Sequence, residues 1–422
     1  MRKRFFSKLA IVMSTALAVS GCFCPIDKAF VNAETIQDED DSYYDDSTDD
    51  SYDDSTDDSY DDSTDDSDNE ETTGTKIDDI KLSSSELQAF VKESDSDENG
   101  YISQSEAEKI TYVSISKKAS QSDLTQIIKL YPNISELMWN AGTLTKLTFP
   151  KNNIKRLNIT SKAASQLVIS GINQKLNNLF YTAQGSKKYA FNFAKGSAYK
   201  KVEDFNLMGK QINGVKLSNA EVGTLYVTDT SAKKIDASSD KIINLWVQNN
   251  KKLSSFTVRN CSKLKSVSCA YNALSRLNIS GCPKLLSVSC DRNKLTKLDI
   301  SKYKNLKSIS CGQNKLKKFD ISKNKKLISV YCNDNKLTEL NTSKNKKLSY
   351  FGCSNNKLNK LNVMPNKKLT TLSCYGNKFT KVNLKKNKEL VSMAVSKTYK
   401  LMSSYIPTAS KSNTNYIYID VK

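Results

Sequence analysis

The sequence predicts a solenoid of stacked coils, mainly β. A parallel sheet lies on its concave side, extended or short helical segments on its convex side, and a small α-helical cap at its N-terminus. Three observations predict it. From Leu264 to Glu389 one unit recurs about six times at a period of roughly 21 residues, reading L-x-x-ϕ-x-C-x-x-N-x-L-x-x-L-x-I-S before a Lys/Asn-rich tail, with ϕ aliphatic or aromatic. Cys269, Cys290, Cys311, Cys332, Cys353 and Cys374 occupy one phase of that unit, and Asn272, Asn293, Asn314, Asn335, Asn356 and Asn377 another. Leu264, Val267 and Cys269, then Leu274, Leu277 and Ile279, supply one slice of core per coil, and no slice is stable without its neighbours.

These residues resemble the leucine-rich repeat family, in the short bacterial form with Cys in the strand and a second half of the Leu298-Asp299-Ile300-Ser301 type, as in internalin-like surface proteins. The resemblance implies a leucine-rich repeat solenoid that binds protein or glycan ligands on its concave face and is not an enzyme. It also implies that the Asn after each strand bonds to the backbone of the next coil. A fold shared by many binders fixes no ligand.

Composition narrows the chemistry further. The 422 residues include no histidine, which removes serine–histidine and cysteine–histidine nucleophile pairs and the commonest metal ligand. The net charge of +19 hides an asymmetry. Residues 34–75 carry 20 acidic side chains and no basic ones, whereas residues 134–422 carry 52 Lys and Arg against 14 Asp and Glu.

Residues 1–33 read as an export signal: Arg2, Lys3 and Arg4, then an apolar run from Leu9 to Gly21. Two processing sites compete. Val19-Ser20-Gly21-Cys22 has the form of a lipobox, which would put a lipid on Cys22 and hold the protein at a bacterial cell surface. Val31-Asn32-Ala33 before Glu34 has the form of an ordinary cleavage site, which would release it. Either way the expected location is extracellular, with membrane contact only through that lipid. Residues 34–75, built on Ser-Tyr-Asp-Asp-Ser-Thr-Asp-Asp repeats, have little to bury and read as a disordered acidic spacer. A low-affinity calcium sponge is the alternative reading.

Residues 76–133 read as a helical cap. Ser84 or Ser85 caps a helix through Leu87, Phe90 and Val91, and Asp123 to Tyr131 forms another that closes at Pro132. Between them, residues 95–106 resemble an EF-hand loop. Asp95, Asp97, Asn99, the Tyr101 carbonyl, Ser103 and a bidentate Glu106 would supply oxygens to one structural calcium ion, and Gly100 the sharp turn. Residues 134–263 read as irregular repeats, 264–395 as regular ones and 396–422 as a C-terminal cap ending in the alternating Tyr416-Ile417-Tyr418-Ile419.

Two surfaces are candidates for a ligand. The central outward strand position carries, in chain order, Met138, Asn158, Phe180, Asn206, Tyr226, Trp246, Ser268, Ser289, Ser310, Tyr331, Gly352, Ser373 and Ala394. Phe180, Tyr226 and Trp246 are its large anchors, with Tyr331, Tyr350 and Tyr375 a sparser second patch. The bland reading is that these rings cover each other or a loop. Lys294, Lys315, Lys336, Lys357 and Lys378 form one stacked row, and Lys297, Lys318, Lys360 and Lys381 another that Glu339 interrupts. Such rows favour a polyanion along them, such as a wall polymer, a glycosaminoglycan or extracellular DNA, and otherwise serve as solvated surface. The acidic spacer itself is one candidate anion.

The six in-register Cys read as small hydrophobes, because a row facing the core is not a tetrahedral thiolate cluster. Cys261 and Cys282 are disulfide candidates nearer the loop edge. Asp291, Asp299, Asp320 and Asp334 read as single surface carboxylates with no catalytic partner. A monomer is expected.

Overall fold

The structure, a computed structural model, describes residues 74–217, 220–396, 400–402, 408–412 and 416–420. The export signal, Cys22 and nearly all of the acidic spacer lie outside them. The described chain is a leucine-rich-repeat-type parallel β solenoid of about thirteen coils.

Its spine is a 16-stranded sheet that runs from Tyr112–Ser114 through Glu136–Gly142, Arg156–Ser161, Leu176–Ala183, Lys201–Met208, Glu221–Thr228 and Asn244–Gln248. It continues as three-residue strands, one per regular coil, to Ser392–Ser396. These pair in parallel, and the register puts Met138, Asn158, Phe180, Asn206, Tyr226 and Trp246 opposite one another in one row. The same row continues through Ser268, Ser289, Ser310, Tyr331, Gly352, Ser373 and Ala394. At the far end the strand Tyr416–Asp420 turns antiparallel against Ser392–Ser396 and pairs with Thr408–Ser412.

Two ladders of side chains lock coil to coil. Leu264, Val267, Cys269 and Leu274 are fully buried, as are their counterparts, and burying one such leucine stabilises by about 1.5–3 kcal/mol. Beside them Asn293 donates to the carbonyls of Cys269 and Cys290 and accepts from Leu274 N–H at 3.0 Å. Asn314, Asn335 and Asn356 repeat this pattern. The bonds therefore reach the preceding coil, not the next one. Reaching back suits the turn, because the Asn stands just after its own strand ends and faces groups the sheet leaves unpaired.

The second face is less regular than the Leu-Asp-Ile alternation suggests. A five-stranded parallel sheet spans Tyr189–Asn192 to Asn278–Ser280 and then stops. From Ile300 onward a second asparagine ladder takes over. Asn324 Nδ2 donates to the carbonyls of Ile300 and Tyr303, Asn345 to those of Ile321 and Asn324, and Asn366 and Asn387 follow suit. Side-chain amides thus take the carbonyls a strand ladder would have used.

The cap begins with α1 (Ser85–Ser94), whose N-cap is Ser84. Next come α2 (Gln104–Lys109), with a capping box from Ser103 and Glu106, and α3 (Gln121–Leu130), with one from Ser120 and Asp123. The last helix starts two residues before the position its apolar spacing indicates, because Ser120 supplies the cap. Asp123 is fully buried and also accepts from the backbone and hydroxyl of Ser83, tying the entry of the cap to α3. Burial alone would raise its pKa, but the Ser83 and Ser120 hydrogen bonds outweigh that and hold it below the usual range. The cap also contributes Tyr112–Ser114 as the edge strand of the long sheet. Cap and coils are therefore continuous.

Candidate recognition face and calcium loop

The loop between α1 and α2 gathers the three expected carboxylates. One oxygen each from Asp95, Asp97 and Glu106 lies within 4.8 Å of the others. Gly100 adopts φ +84° and Glu98 φ +58°, the left-handed turns that fold the loop onto itself. Asp95 accepts from the backbone N–H of Asn99 and Gly100, and the Asn99 side chain accepts from Tyr101 N–H at 2.8 Å. Glu106 is buried, and hydrogen bonds from Ser96, reinforced by Ser103, hold its pKa down to about 2. It is a carboxylate at any physiological pH.

The strand Tyr101–Ser103 of this loop pairs antiparallel with Gly74–Lys76, which straddles the 75/76 boundary expected between spacer and cap. Ile77 N–H bonds to the Gly100 carbonyl. Because ladder bonds alternate along an antiparallel pair, this register leaves the Tyr101 carbonyl on the edge away from that partner strand. Three carboxylates, an amide oxygen, a carbonyl and a hydroxyl make a hard-oxygen set of the kind calcium takes. The residues present fit such an ion.

On the long sheet, alternate residues of each strand point to the outward face. The coils from Leu176 to Gln248 thereby present three parallel rows. The central row is Phe180, Asn206, Tyr226 and Trp246. Before it runs Asn178, Asp204, Thr224 and Asn244, and after it Thr182, Met208, Thr228 and Gln248. Tyr226 and Trp246 stack with centroids 6.1 Å apart and planes 14° apart. Part of the covering expected of a bland reading is therefore real, but a stack at that separation is slipped, and both residues are half-buried. Phe180 is 36% exposed. Below it, Tyr181, Phe191, Phe193, Tyr199 and Phe205 form an edge-to-face cluster that accounts for the extra length of this coil.

The row starting at Asn178 was missed in the sequence, although it sits two residues before every central position and could have been read from the same alignment of coils. With Asn177, Glu203, Gly223 and Ile243 it lines a depression of about 420 Å³. Asn178 Nδ2 donates to Asp204 Oδ2 at 3.3 Å, and Lys175 pairs with Glu203 at 3.0 Å.

The other predicted residues are placed differently. Tyr331 lies over its glycine neighbours: a Cβ on Gly312 would meet its ring at 2.5 Å and one on Gly352 at 2.9 Å. Tyr350 is exposed one row before it and Tyr375 half-buried one row after it, on successive coils, so the three form no single platform. The structure does bring Lys294, Lys315, Lys336, Lys357 and Lys378 into one row, each backbone N–H bonding to a leucine carbonyl of the preceding coil. Lys297, Lys318, Lys360 and Lys381 are also exposed. Among the described residues the four ion pairs lie elsewhere.

Asp291 is not a surface carboxylate. It is half-buried, accepts from Ser289 Oγ and Gly312 N–H, and burial pushes its pKa up. The six row cysteines are fully buried, and burial pushes their thiols up, that of Cys332 to about 12. Cys261 and Cys282 are buried free thiols, not a disulfide: Cys261 donates to the Arg259 carbonyl at 3.4 Å and Cys282 to the Ser280 carbonyl at 3.3 Å.

The stacked coils, asparagine ladders and Leu/Cys core define a leucine-rich repeat solenoid. No protein-family model matches the chain, and no curated protein does. Among solved structures, the functional domain of InlJ from Listeria monocytogenes, which includes a cysteine ladder, is 18% identical over 74% of this chain and 69% of its own, with a TM-score of 0.40. The internalin InlF from Listeria monocytogenes strain 4b F2365 is 14% identical over 80% of this chain and 99% of its own, at 0.41. A chain of the Toll–Spatzle complex of Drosophila is 12% identical over 68% and 55%, at 0.43. Likeness at this level adds nothing about ligands.

Proposed function

We propose that this chain is a non-enzymatic recognition protein, extracellular or held at a bacterial cell surface, that binds a protein or glycan through the outward face of its long sheet. The observation that carries this is the slipped Tyr226–Trp246 stack, with Phe180 across Asn206, on a rigid sheet. One calcium ion in the loop of Asp95, Asp97, Asn99, Tyr101, Ser103 and Glu106 serves a structural role, bracing the loop on the strand Gly74–Lys76. Ligand capture by immobilised protein, with and without calcium and at two salt concentrations, tests the reading. Aromatic-anchored capture persists at moderate salt and is lost with Trp246→Ala; capture indifferent to Trp246 refutes it. Intact mass of the exported protein distinguishes a lipid on Cys22 from cleavage before Glu34.

A second reading, attachment to polyanions, is favoured by the stacked lysine row from Lys294 to Lys378. Like charges one strand spacing apart repel by about 0.9 kcal/mol per pair even in water, and a bound polyanion relieves that. Binding of this kind falls steeply with salt.

A further inference from the structure

We propose that the outward face over coils 176–248 binds an extended, uncharged β-1,4-linked polysaccharide laid along the solenoid axis, across the strands. The proposal rests on the recognition reading above and narrows its ligand class.

Strands in register repeat each row position at every 4.7–4.9 Å or so. A β-1,4-linked chain of pyranoses is ribbon-like and advances by nearly one such step per sugar. Successive sugars therefore meet equivalent positions of the grid. An α-1,4-linked chain curls and loses the match after a few residues. Phe180 and Tyr226 stand two strands apart across Asn206, about 9.6 Å. A ribbon laid along the axis crosses that distance in about two sugars.

A pyranose has apolar faces and a rim of hydroxyls. The aromatic row offers surface to the faces, while Asn178, Thr224 and Asn244 beside it offer both donors and acceptors to the rim. These residues line an open depression of about 420 Å³ beside the aromatic row, whose rings do not line it.

Charge points the same way. The coils are strongly basic, yet none of the three rows here contains a lysine or arginine. The one charged side chain in them is Asp204, next to Glu203, which Lys175 offsets. An anionic polymer is disfavoured on this face, and an uncharged one is not.

The test uses the full chain and three named hexasaccharides in isothermal titration: cellohexaose, chitohexaose and maltohexaose, with cellobiose and chitobiose for length. At least one β-1,4 hexamer should bind about tenfold or more tighter than its own dimer, unaffected by raised salt, with maltohexaose not competing. Trp246→Ala should lower that affinity about tenfold or more, and Trp246→Phe should retain most of it. Thermal melts of both variants verify that they fold. No binding by either β-1,4 hexamer, equal binding of dimer and hexamer, or equal binding of maltohexaose overturns the proposal. If neither hexamer binds but a protein ligand is captured and lost with Trp246→Ala, the glycan falls and the recognition reading stands. If no ligand of any kind depends on Trp246, both fall.

Discussion

The Thr342 hydroxyl donates to Asn366 Oδ1 at 2.7 Å, and this separates Asn366 from its neighbours in the second asparagine ladder. Asn324, Asn345 and Asn387 have the same buried Oδ1 with no hydrogen-bond partner. Where Thr342 stands relative to Asn366, the other coils carry Ile300, Ile321 and Val363. Thr342→Val should therefore cost about 1–3 kcal/mol by orphaning a fourth amide oxygen. Val363→Thr, nearly isosteric, should be neutral or stabilise by up to about 1 kcal/mol by supplying Asn387 with a donor. Denaturant melts of the two variants check this, and a Val363→Thr protein clearly less stable than its parent would count against it.

Calcium binding by the loop of Asp95 to Glu106, as proposed, has two readouts. Calcium should raise the melting temperature, by about 1.4 kcal/mol of stability once free calcium is about ten times Kd. It should also increase hydrogen-exchange protection in Gly74–Lys76, because that strand is paired to the loop. Glu106→Gln should abolish both effects.

The same glutamate sets an acid limit. Its folded pKa, about 2, lies below the ordinary 4.5. Its contribution to stability is thus fully present above about pH 4.5 to 5 and is lost as the pH falls toward 2, since the unfolded chain takes up the proton first. Metal-free Glu106→Gln protein should show a shallower loss of stability over that window.

How much of this was legible follows from what each feature depends on. The central row from Met138 to Ala394 and the cysteine ladder depend on repeat phase alone, and the structure has them where the phase puts them. The gathering of Asp95, Asp97 and Glu106 is set within one short stretch of chain, and was readable because it is local. Asn324 was not: it sits among lysines, and only the turn of the coil carries that one side chain inward while its neighbours stay in water. Asp291 looked exposed because its cover, the hydroxyl of Ser289 and the backbone at Gly312, comes partly from the following coil. The strands Gly74–Lys76 and Tyr112–Ser114 exist because of distant pairing partners, which local propensity does not encode.

The lysine row predicts a salt signature separate from the aromatic face. Lys315→Glu with Lys336→Glu should weaken heparin binding and lower the magnitude of the log K against log salt slope by roughly one per contact removed. The same pair should leave Trp246-dependent binding unchanged, and a loss of both together would merge two sites kept apart here.

Recognition by the Trp246 face is most directly tested by fluorescence. The chain has two tryptophans, Trp139, 1% exposed in the core, and Trp246, half-buried in the outward row. In Trp139→Phe protein, emission reports Trp246 alone. Titration with chitohexaose or cellohexaose should give a saturable change in that emission that survives raised salt. Binding seen by calorimetry with no change in Trp246 emission, or no saturable change with either sugar or with any captured protein ligand, would contradict it.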